Sequence, residues 1–412
     1  FELFKKESNE KGNTLLIIGG IHGDEPGVYF APAFLEKYYE IKSGNVWIIP
    51  DLNADSIMAN NRGLYDDMNR KFSSIEKNDP DYDTVTKVKE IILDKKVDLI
   101  LNLHDGYGFY RNKYENAIFN PNAWGQATII DQEKITGLDK FGNLDEIANQ
   151  VNDSLNNDNL FKDYHSFGVK NTETKFKDEQ MQLSLTFFAV THNKPAFAIE
   201  TSKNITDLTH KVIYQLKSIE EFMNIMHIKF ERKFDINNYD DVQKKISDFG
   251  KVRVNDNIVF DLSDIKNYTK YVPLKESDNV FKFEHSLGAY RFIDGRYEIY
   301  IGNIKATEFY PQIFEIAKAE KNIKIEVDGK IIETPFATQI DIKKDFKIVK
   351  SDYRVNIIGF SKAGLDSEDD ILIEEKDIQD NYSVDNGKTK YRAEFYKDGK
   401  FYGMIILNFL KD

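Results

Sequence analysis

One short segment, residues 19–27 with the sequence Gly-Gly-Ile-His-Gly-Asp-Glu-Pro-Gly, constrains the fold of this chain more than any other. It follows the apolar residues 14–18, which are typical of a strand buried on both faces. Pro26 suits the first turn of a helix, and the glycines permit a sharp turn before it. His22 and Glu25 lie three residues apart, so both can face one cation. The segment predicts a strand, a turn and a helix that carry part of a metal site.

The first 228 residues alternate short apolar runs with helical periodicity, a pattern typical of a sheet with crossover helices. Strands are predicted over residues 14–18, 45–50, 97–103 and 195–199, and helices over residues 26–38, 85–92, 144–155 and 206–226. Residues 51–81 form a polar loop that is too long for a simple connection, and such loops are often functional. We therefore expect an α/β domain with a mixed central sheet and flanking helices over residues 1–228.

After residue 228 the pattern changes to short strands. The pair Asp294-Gly295 lies between two alternating runs and predicts a hairpin, and residues 311–319 are interpreted as a helix. These features predict a small α+β module over residues 229–320. Residues 321–412 repeat the hairpin pattern without helical periodicity, which predicts an all-β sandwich of immunoglobulin type.

Composition excludes several classes of function. The 412-residue chain has 69 acidic and 56 basic residues, a net charge of −13, so it lacks the basic surface expected of a nucleic-acid-binding protein. Its apolar runs are far shorter than the roughly 20 residues that span a bilayer, so no membrane insertion is expected. There is no cysteine, which leaves His, Asp and Glu as metal ligands. The chain begins at Phe1 rather than Met, which fits an exported protein without its signal peptide or a shortened chain.

Two further residues at predicted strand ends extend the metal site. His104 ends the strand before Asp105, and two histidines with one carboxylate leave a position open, as a catalytic zinc requires. Glu200 ends another strand and can serve as the general base that takes a proton from water. The alternatives are structural: His22 holding a turn, Glu25 favoured by a helix dipole, and Glu200 solvated.

The long loop carries candidates for binding a substrate carboxylate. Arg62 and Arg70 lie among Asn and Asp residues, and such arginines often only neutralise neighbouring carboxylates. The planar guanidinium nevertheless fits a carboxylate with two hydrogen bonds, an arrangement that neither Lys nor His provides. A second arginine can stabilise the negative oxygen that develops at a carbonyl under attack.

Together these residues resemble the carboxypeptidase A-like zinc metallocarboxypeptidases over residues 14–228. The resemblance implies a zinc carboxypeptidase-like fold with zinc as the cofactor. It assigns roles as follows: His22, Glu25 and His104 as zinc ligands, Arg62 as the oxyanion-stabilising arginine, Asn69 and Arg70 as the pair that binds the terminal carboxylate, and Glu200 as the catalytic glutamate.

Within this family, residues 104–110 and the added β modules resemble the peptidoglycan DL-carboxypeptidases that set the shape of helical Gram-negative bacteria. That resemblance implies a periplasmic enzyme that trims a muropeptide tripeptide to a dipeptide, releasing meso-diaminopimelate from γ-D-glutamate. The tyrosine that covers the substrate in digestive relatives is not evident, and Tyr110 and Tyr164 are the candidates.

Two other functions stay open at the level of sequence. Residues 51–54, with Arg62 and the Asn69-Arg70 pair, also resemble the deacylases of the succinylglutamate desuccinylase and aspartoacylase type. A protein that binds the cell wall through its β modules, with an idle first domain, is the alternative without catalysis. The sequence does not indicate an oligomeric state.

Overall fold

The computed structural model describes residues 1–318 and 322–411, and the chain forms two compact units, Phe1–Ser247 and Asp248–Asp412. The division into three domains with boundaries at residues 228 and 320 stays a prediction. No helix in the described ranges has the length and apolar character needed to cross a bilayer.

The first unit is built around a seven-stranded sheet with the order β1-β4-β2-β5-β10-β8-β9. Its strands are β1 (Phe4–Glu7), β2 (Thr14–Ile18), β3 (Tyr39–Ser43), β4 (Asn45–Ile49), β5 (Leu99–Gly106), β6 (Phe109–Tyr110), β7 (Phe119–Asn120), β8 (Ala127–Ile130), β9 (Gly168–Asn171), β10 (Ala196–Ser202) and β11 (Lys229–Arg232). Its helices are α1 (Pro26–Tyr38), α2 (Ala54–Met58), α3 (Tyr82–Ile92), α4 (Leu144–Asn157), α5 (Thr174–Lys177), α6 (Leu185–Thr191), α7 (Leu208–Ile225) and α8 (Tyr239–Ile246).

The sheet is mixed, as predicted. Strands β4, β2, β5 and β10 are parallel, whereas β1 and β8 pair antiparallel with β4 and β10. Every residue of β2, β5 and β10 is buried, because helices cover a sheet that is apolar on both faces. Helices α1 and α7 pack on each other and against this sheet. The flanking helices predicted from periodicity are therefore confirmed. Helix α7 begins after its N-cap Asp207, whereas the sequence predicted that this helix starts at Thr206.

The turn after β2 lies against the segment that follows β4. The N–H of Gly23 donates to the carbonyl oxygen of Asn61 at 3.0 Å, and the N–H groups of Leu52 and Asn53 donate to the carbonyl oxygens of Gly19 and Gly20. The loop predicted for residues 51–81 thus begins as a packed layer that contains α2 and fixes the turn.

The second unit is rich in β-structure and has four sheets, ordered β13-β12-β15, β14-β18-β17-β16, β20-β19-β22-β24 and β21-β26-β25-β23 among the described residues. Its strands are β12 (Lys251–Val254), β13 (Ile258–Asp261), β14 (Tyr268–Leu274), β15 (Phe281–Phe283), β16 (Gly288–Ile293), β17 (Arg296–Ile301), β18 (Ile304–Ile313), β19 (Ile323–Val327), β20 (Lys330–Thr334), β21 (Thr338–Ile342), β22 (Asp345–Ile348), β23 (Arg354–Ile357), β24 (Ile373–Glu374), β25 (Lys390–Lys397) and β26 (Lys400–Phe409).

The hairpin predicted at Asp294-Gly295 is confirmed: both residues have positive φ, 49° and 78°, as a two-residue hairpin turn requires. The last two sheets enclose one apolar core that includes Ile325, Phe395 and Ile405, which is the arrangement of a β-sandwich. The immunoglobulin-type topology within it stays a prediction.

The helix predicted for residues 311–319 is wrong. Residues 311–313 continue β18, residues 314–318 are not helical, and residue 319 lies outside the described residues. Pro311 is compatible with the strand because β18 pairs with β17 only as far as Phe309, which faces Tyr297. Beyond that point the missing N–H of proline costs no hydrogen bond to β17.

We predict that Gly23→Ala destabilises the first unit by about 3 kcal/mol or more, because overpacking of this severity exceeds the usual range. A Cβ at residue 23 would lie 2.0 Å from the carbonyl oxygen of Ser56. Gly137→Ala is the control, since a Cβ there meets nothing within 4 Å and only its left-handed backbone opposes alanine, at about 1 to 2 kcal/mol. Both tryptophans, Trp47 and Trp124, belong to the first unit, so urea unfolding followed by tryptophan fluorescence measures the effect. Equal losses in the two variants would contradict the packing argument.

Candidate metal centre and active site

The predicted metal ligands come from three places at one edge of the central sheet. His22 lies in the turn after β2, Glu25 immediately precedes α1, and His104 lies near the end of β5. Glu200 on β10 is the register partner of His104 on the adjacent parallel strand. Since β2, β5 and β10 run in the same direction, their carboxyl ends meet at this edge, where open α/β sheets bind ligands.

His22, Glu25 and His104 form a compact, buried group. The Nδ1 atoms of His22 and His104 lie 3.1 Å and 3.3 Å from the two carboxylate oxygens of Glu25. One ligand atom from each of the three side chains lies within 4.8 Å of the others. Their exposed fractions are 1%, 1% and 5%. Two imidazoles and a carboxylate match the donor set of a catalytic metal site with an open position, so these residues fit a metal ion.

The charges of this group depend on one another. Burial lowers the pKa of His22, but the carboxylates of Glu25 and Asp67 outweigh that effect and raise the pKa to about 9. Burial would raise the pKa of Glu25, yet His22 and His104 hold it well below its usual range. His104 has a lowered pKa, mainly because it is buried. The group is therefore arranged around an ionised carboxylate.

A second layer of hydrogen bonds holds the ligands in place. The N–H of Asp105 donates to Glu25 Oε2 at 3.0 Å, and Gln215 Nε2 donates to the carbonyl oxygen of His104 at 3.0 Å. The carboxylate of Asp105 is paired with Lys211 Nζ at 2.7 Å, and both side chains are buried. Helix α7 supplies Lys211 and Gln215, so its packing on the sheet fixes the end of β5. Second-layer contacts of this kind orient metal ligands.

Glu200 lies in the same cavity, which has a volume of about 390 Å³. Burial, together with the negative charges of Glu25 and Asp105, holds the pKa of Glu200 well above its usual range. A cation bound by the three ligands would favour the ionised form, because an opposite charge nearby lowers the pKa of a carboxyl group. A carboxylate poised in this way can accept and return a proton.

Arg62 contacts the His-Glu-His group directly and also through Asp67, an acidic residue that the sequence did not identify as a site residue. Its Nη1 lies 3.3 Å from Glu25 Oε1, and its Nε and Nη2 donate to Asp67 Oδ2 at 3.1 Å and 2.9 Å. The other oxygen of Asp67 lies 2.8 Å from His22 Nε2. Asp67 therefore joins Arg62 to His22. It lies in a run of Asn and Asp residues, and nothing in the pattern distinguished it from its neighbours.

Asn69 and Arg70 both line the cavity. The Oδ1 atom of Asn69 accepts a hydrogen bond from the N–H of Leu185 at 3.0 Å, and its Nδ2 lies 3.4 Å from His104 Nε2. Arg70 Nη1 donates to the carbonyl oxygen of Asn69 at 3.1 Å. Asn69 thus ties the start of α6 to His104, one of the predicted metal ligands. The binding of a substrate carboxylate by this pair stays a prediction.

Other side chains complete the cavity, and among them Lys203 was not predicted as a site residue. Lys203 Nζ donates to Asp24 at 2.7 Å and lies 3.5 Å from Glu25 Oε1. Tyr107 lies beside it, with its ring centroid 5.1 Å from the ammonium. The candidates for a covering tyrosine, Tyr110 and Tyr164, are not among the residues that line the cavity, whereas Tyr107 is. The further lining residues are Asn102, Asp105, Gly106, Trp124, Ile129, Met181, Thr186 and Ala198.

Comparison with known families gives two matches along the chain. Residues 3–246 match the model of the catalytic domain of a carboxypeptidase controlling helical cell shape. Residues 316–410 match the C-terminal domain of a metallo-carboxypeptidase. A search of curated proteins gave no match.

Solved structures of similar proteins include the cell shape determinant protein Csd4 from Helicobacter pylori. The apo and tripeptide-bound forms of Csd4 each share 33% sequence identity with this chain, with a TM-score of 0.93, and the match covers 99% of this chain and 100% of Csd4. The form of Csd4 with mDAP bound, described as a D,L-carboxypeptidase, gives the same values.

The catalytic-domain model covers more than half of the chain, and the match to Csd4 extends over nearly all of it. The buried His-Glu-His group lies within the part that matches the catalytic model. The chain belongs to the family of metallo-carboxypeptidases that control helical cell shape.

Proposed function

We propose that this protein is a zinc-dependent D,L-carboxypeptidase of the periplasm that trims peptidoglycan tripeptides to dipeptides by releasing meso-diaminopimelate from γ-D-glutamate. The observation that carries the proposal is that His22, Glu25 and His104 converge in the cavity that also holds Glu200. The structures of Csd4 with tripeptide and with mDAP bound support the substrate class. Membership of a family that controls cell shape supports the periplasm.

In this proposal His22, Glu25 and His104 hold zinc, which when bound polarises a carbonyl group and lowers the pKa of water. Glu200 takes a proton from the attacking water on its carboxylate and delivers it to the amine that leaves. The guanidinium of Arg62 donates to the carbonyl oxygen as negative charge develops there. Arg70, positioned by Asn69, binds the free carboxylate of the terminal residue. The three ligands and Glu200 are buried, whereas the side chain of Arg62 remains in contact with solvent.

Glu200→Gln should lower the rate of release of diaminopimelate from the tripeptide by about 10²- to 10⁴-fold, since an amide cannot carry the proton. The metal content should not change, because Glu200 is not among the three ligands. Mass spectrometry of the products and elemental analysis measure the two quantities. Glu179→Gln is the control, because Glu179 is exposed and does not line the cavity. Full activity in Glu200→Gln with zinc bound would contradict the mechanism.

Arg70→Lys should raise the KM for the tripeptide about 10- to 100-fold, because a lysine cannot make the bidentate hydrogen bonds that an arginine makes to a carboxylate. A tripeptide whose terminal carboxylate is converted to an amide is the decisive control. The wild type and the variant should process this amide at equal, low rates. If the variant is impaired equally on both peptides, Arg70 does not bind the terminal carboxylate.

Zinc affinity should rise with pH, by about tenfold per pH unit, up to about pH 9. The reason is that the metal-free His22 has a pKa raised to about 9. It is therefore protonated at pH 7, and zinc must displace this proton. Titrations against a competing chelator between pH 6 and pH 8.5 measure the slope, and calorimetry in buffers of different ionisation heat counts the released proton.

The matched variant for this experiment is Asp67→Asn, which removes a charge that raises the pKa of His22. The zinc affinity of Asp67→Asn should stop rising at a lower pH than the zinc affinity of the wild type does. A zinc affinity that is constant over this pH range in the wild type would show that His22 is not titrated by metal binding.

A further inference from the structure

The second unit contains a cavity of about 990 Å³, compared with about 390 Å³ for the catalytic cavity. It is lined by the start of β14, by residues of β23 and β25 and by the loop of residues 381–386. This volume lies at the upper end of the range of ligand sites. The proposed catalytic chemistry uses none of these residues.

The cavity is basic in a chain that is strongly acidic. Four cationic side chains line it, those of Lys266, Lys270, Arg354 and Arg392, against one carboxylate, that of Glu394. This carboxylate is already paired: it lies 3.0 Å from Arg392 Nη1 and accepts a hydrogen bond from the hydroxyl of Tyr396 at 2.6 Å. An excess of positive charge in a concave site attracts anions.

Three of the four cationic side chains contact uncharged groups, either a backbone carbonyl oxygen or an aromatic ring. Lys266 Nζ donates to the carbonyl oxygen of Asn381 at 3.4 Å. Lys270 Nζ lies 5.6 Å from the ring centroid of Tyr268, and the Arg354 guanidinium lies 4.7 Å from that of Tyr396. The charges of Asp380 and Asp385 act on Lys266. Those of Glu368 and Glu394 act on Arg354. The nitrogen atoms of Lys266 and Arg354 make no ion pair within 4 Å among the described residues, so a carboxylate that enters the cavity gains charge-assisted hydrogen bonds.

The buried side chain of Arg392 holds one wall of the cavity in place. Arg392 is 4% exposed, and its Nη1 and Nη2 donate to the backbone carbonyl oxygens of Tyr271 and Lys270 at 3.1 Å each. The register of β14 shifts between Thr269 and Val272 relative to β18, and Tyr271 there has a positive φ of 55°. A bulge of this kind aims side chains away from the ladder. Arg392 thus fixes the backbone that presents Lys270 and Tyr271.

Aromatic side chains stand exposed along the same cavity. Tyr268, Tyr271 and Tyr382 are 55%, 67% and 46% exposed. Tyrosine combines a flat apolar face with a hydrogen-bonding hydroxyl, so it can pack on sugar rings while the cations bind acid groups. A cavity with exposed tyrosines and cationic side chains therefore fits a polymer that carries both sugar rings and acid groups.

We propose that this cavity is a second binding site, which takes a carboxylate-bearing glycan and peptide strand of the cell wall and holds the enzyme on the polymer. The choice of ligand rests on the proposed function, because the peptide trimmed at the catalytic site belongs to that polymer. The anchoring residues are Lys270 and Arg354, with Tyr271 as the stacking face and Arg392 as a positioning residue.

The test compares the wild type with a double variant of the same chain that carries both Lys270→Ala and Arg354→Ala. Two assays are used. In sedimentation with insoluble peptidoglycan, the dissociation constant should rise at least about tenfold, as expected when charged contacts are lost. Release of diaminopimelate from the free tripeptide should not change. The matched control is a double variant that carries both Lys330→Ala and Lys362→Ala. It also loses two positive charges, but from exposed positions outside the cavity.

Two further arms define the ligand. Peptidoglycan whose carboxylates have been amidated, and chitin as a neutral glycan, should bind the wild type weakly. Tyr271→Gly, which relieves the positive φ, should weaken sedimentation with intact peptidoglycan and leave tripeptide release unchanged.

Four outcomes would overturn the proposal: equal sedimentation of the cavity variant and the wild type, an equal loss in the control variant, equal binding of chitin, or no sedimentation of the wild type. A wild type that sediments but does not cleave the tripeptide would refute the proposed function and leave the binding site supported.

Discussion

The carboxylate of Glu25, which is 1% exposed, imposes the main physical constraint on the first unit. An ionised carboxylate removed from water costs several kcal/mol unless charges and hydrogen bonds compensate it. Two imidazoles, the N–H of Asp105 and the guanidinium of Arg62 supply that compensation. These groups come from three different parts of the chain. The turn after β2, the end of β5 and the long loop must therefore all assemble before this residue is stable.

The parallel pairing of β5 with β10 places the proposed general base, Glu200, beside this buried charged group. Because His104 and Glu200 are register partners, a predicted metal ligand and the proposed base lie on adjacent strands. A shift of one residue would turn one of the two side chains to the opposite face of the sheet. Complete burial of both strands opposes such a shift, so the apolar core sets the precision of the site as well as its stability.

Sequence reasoning succeeded where periodicity and residue type point to the same place. His22, Glu25, His104 and Glu200 follow or end buried strands, and the structure brings them into one cavity. It failed at residues 311–319, where the decisive fact is a distant partner strand, β14, with which residues 311–313 pair. Asp67 was missed for a similar reason: its contact with His22 joins residues 45 positions apart and leaves no local pattern.

The bridge that Asp67 makes between Arg62 and His22 affects how variants of this site are interpreted. A change in any one of the three alters the charge experienced by the other two, so their effects on rate and on metal occupancy will not add. Under the proposed mechanism, for example, a slower Arg62 variant would combine a weaker contact with the substrate oxygen and a changed affinity for the metal ion. Arg62, Asp67 and His22 therefore behave as one thermodynamically coupled unit, so a double or triple variant is needed to separate their contributions.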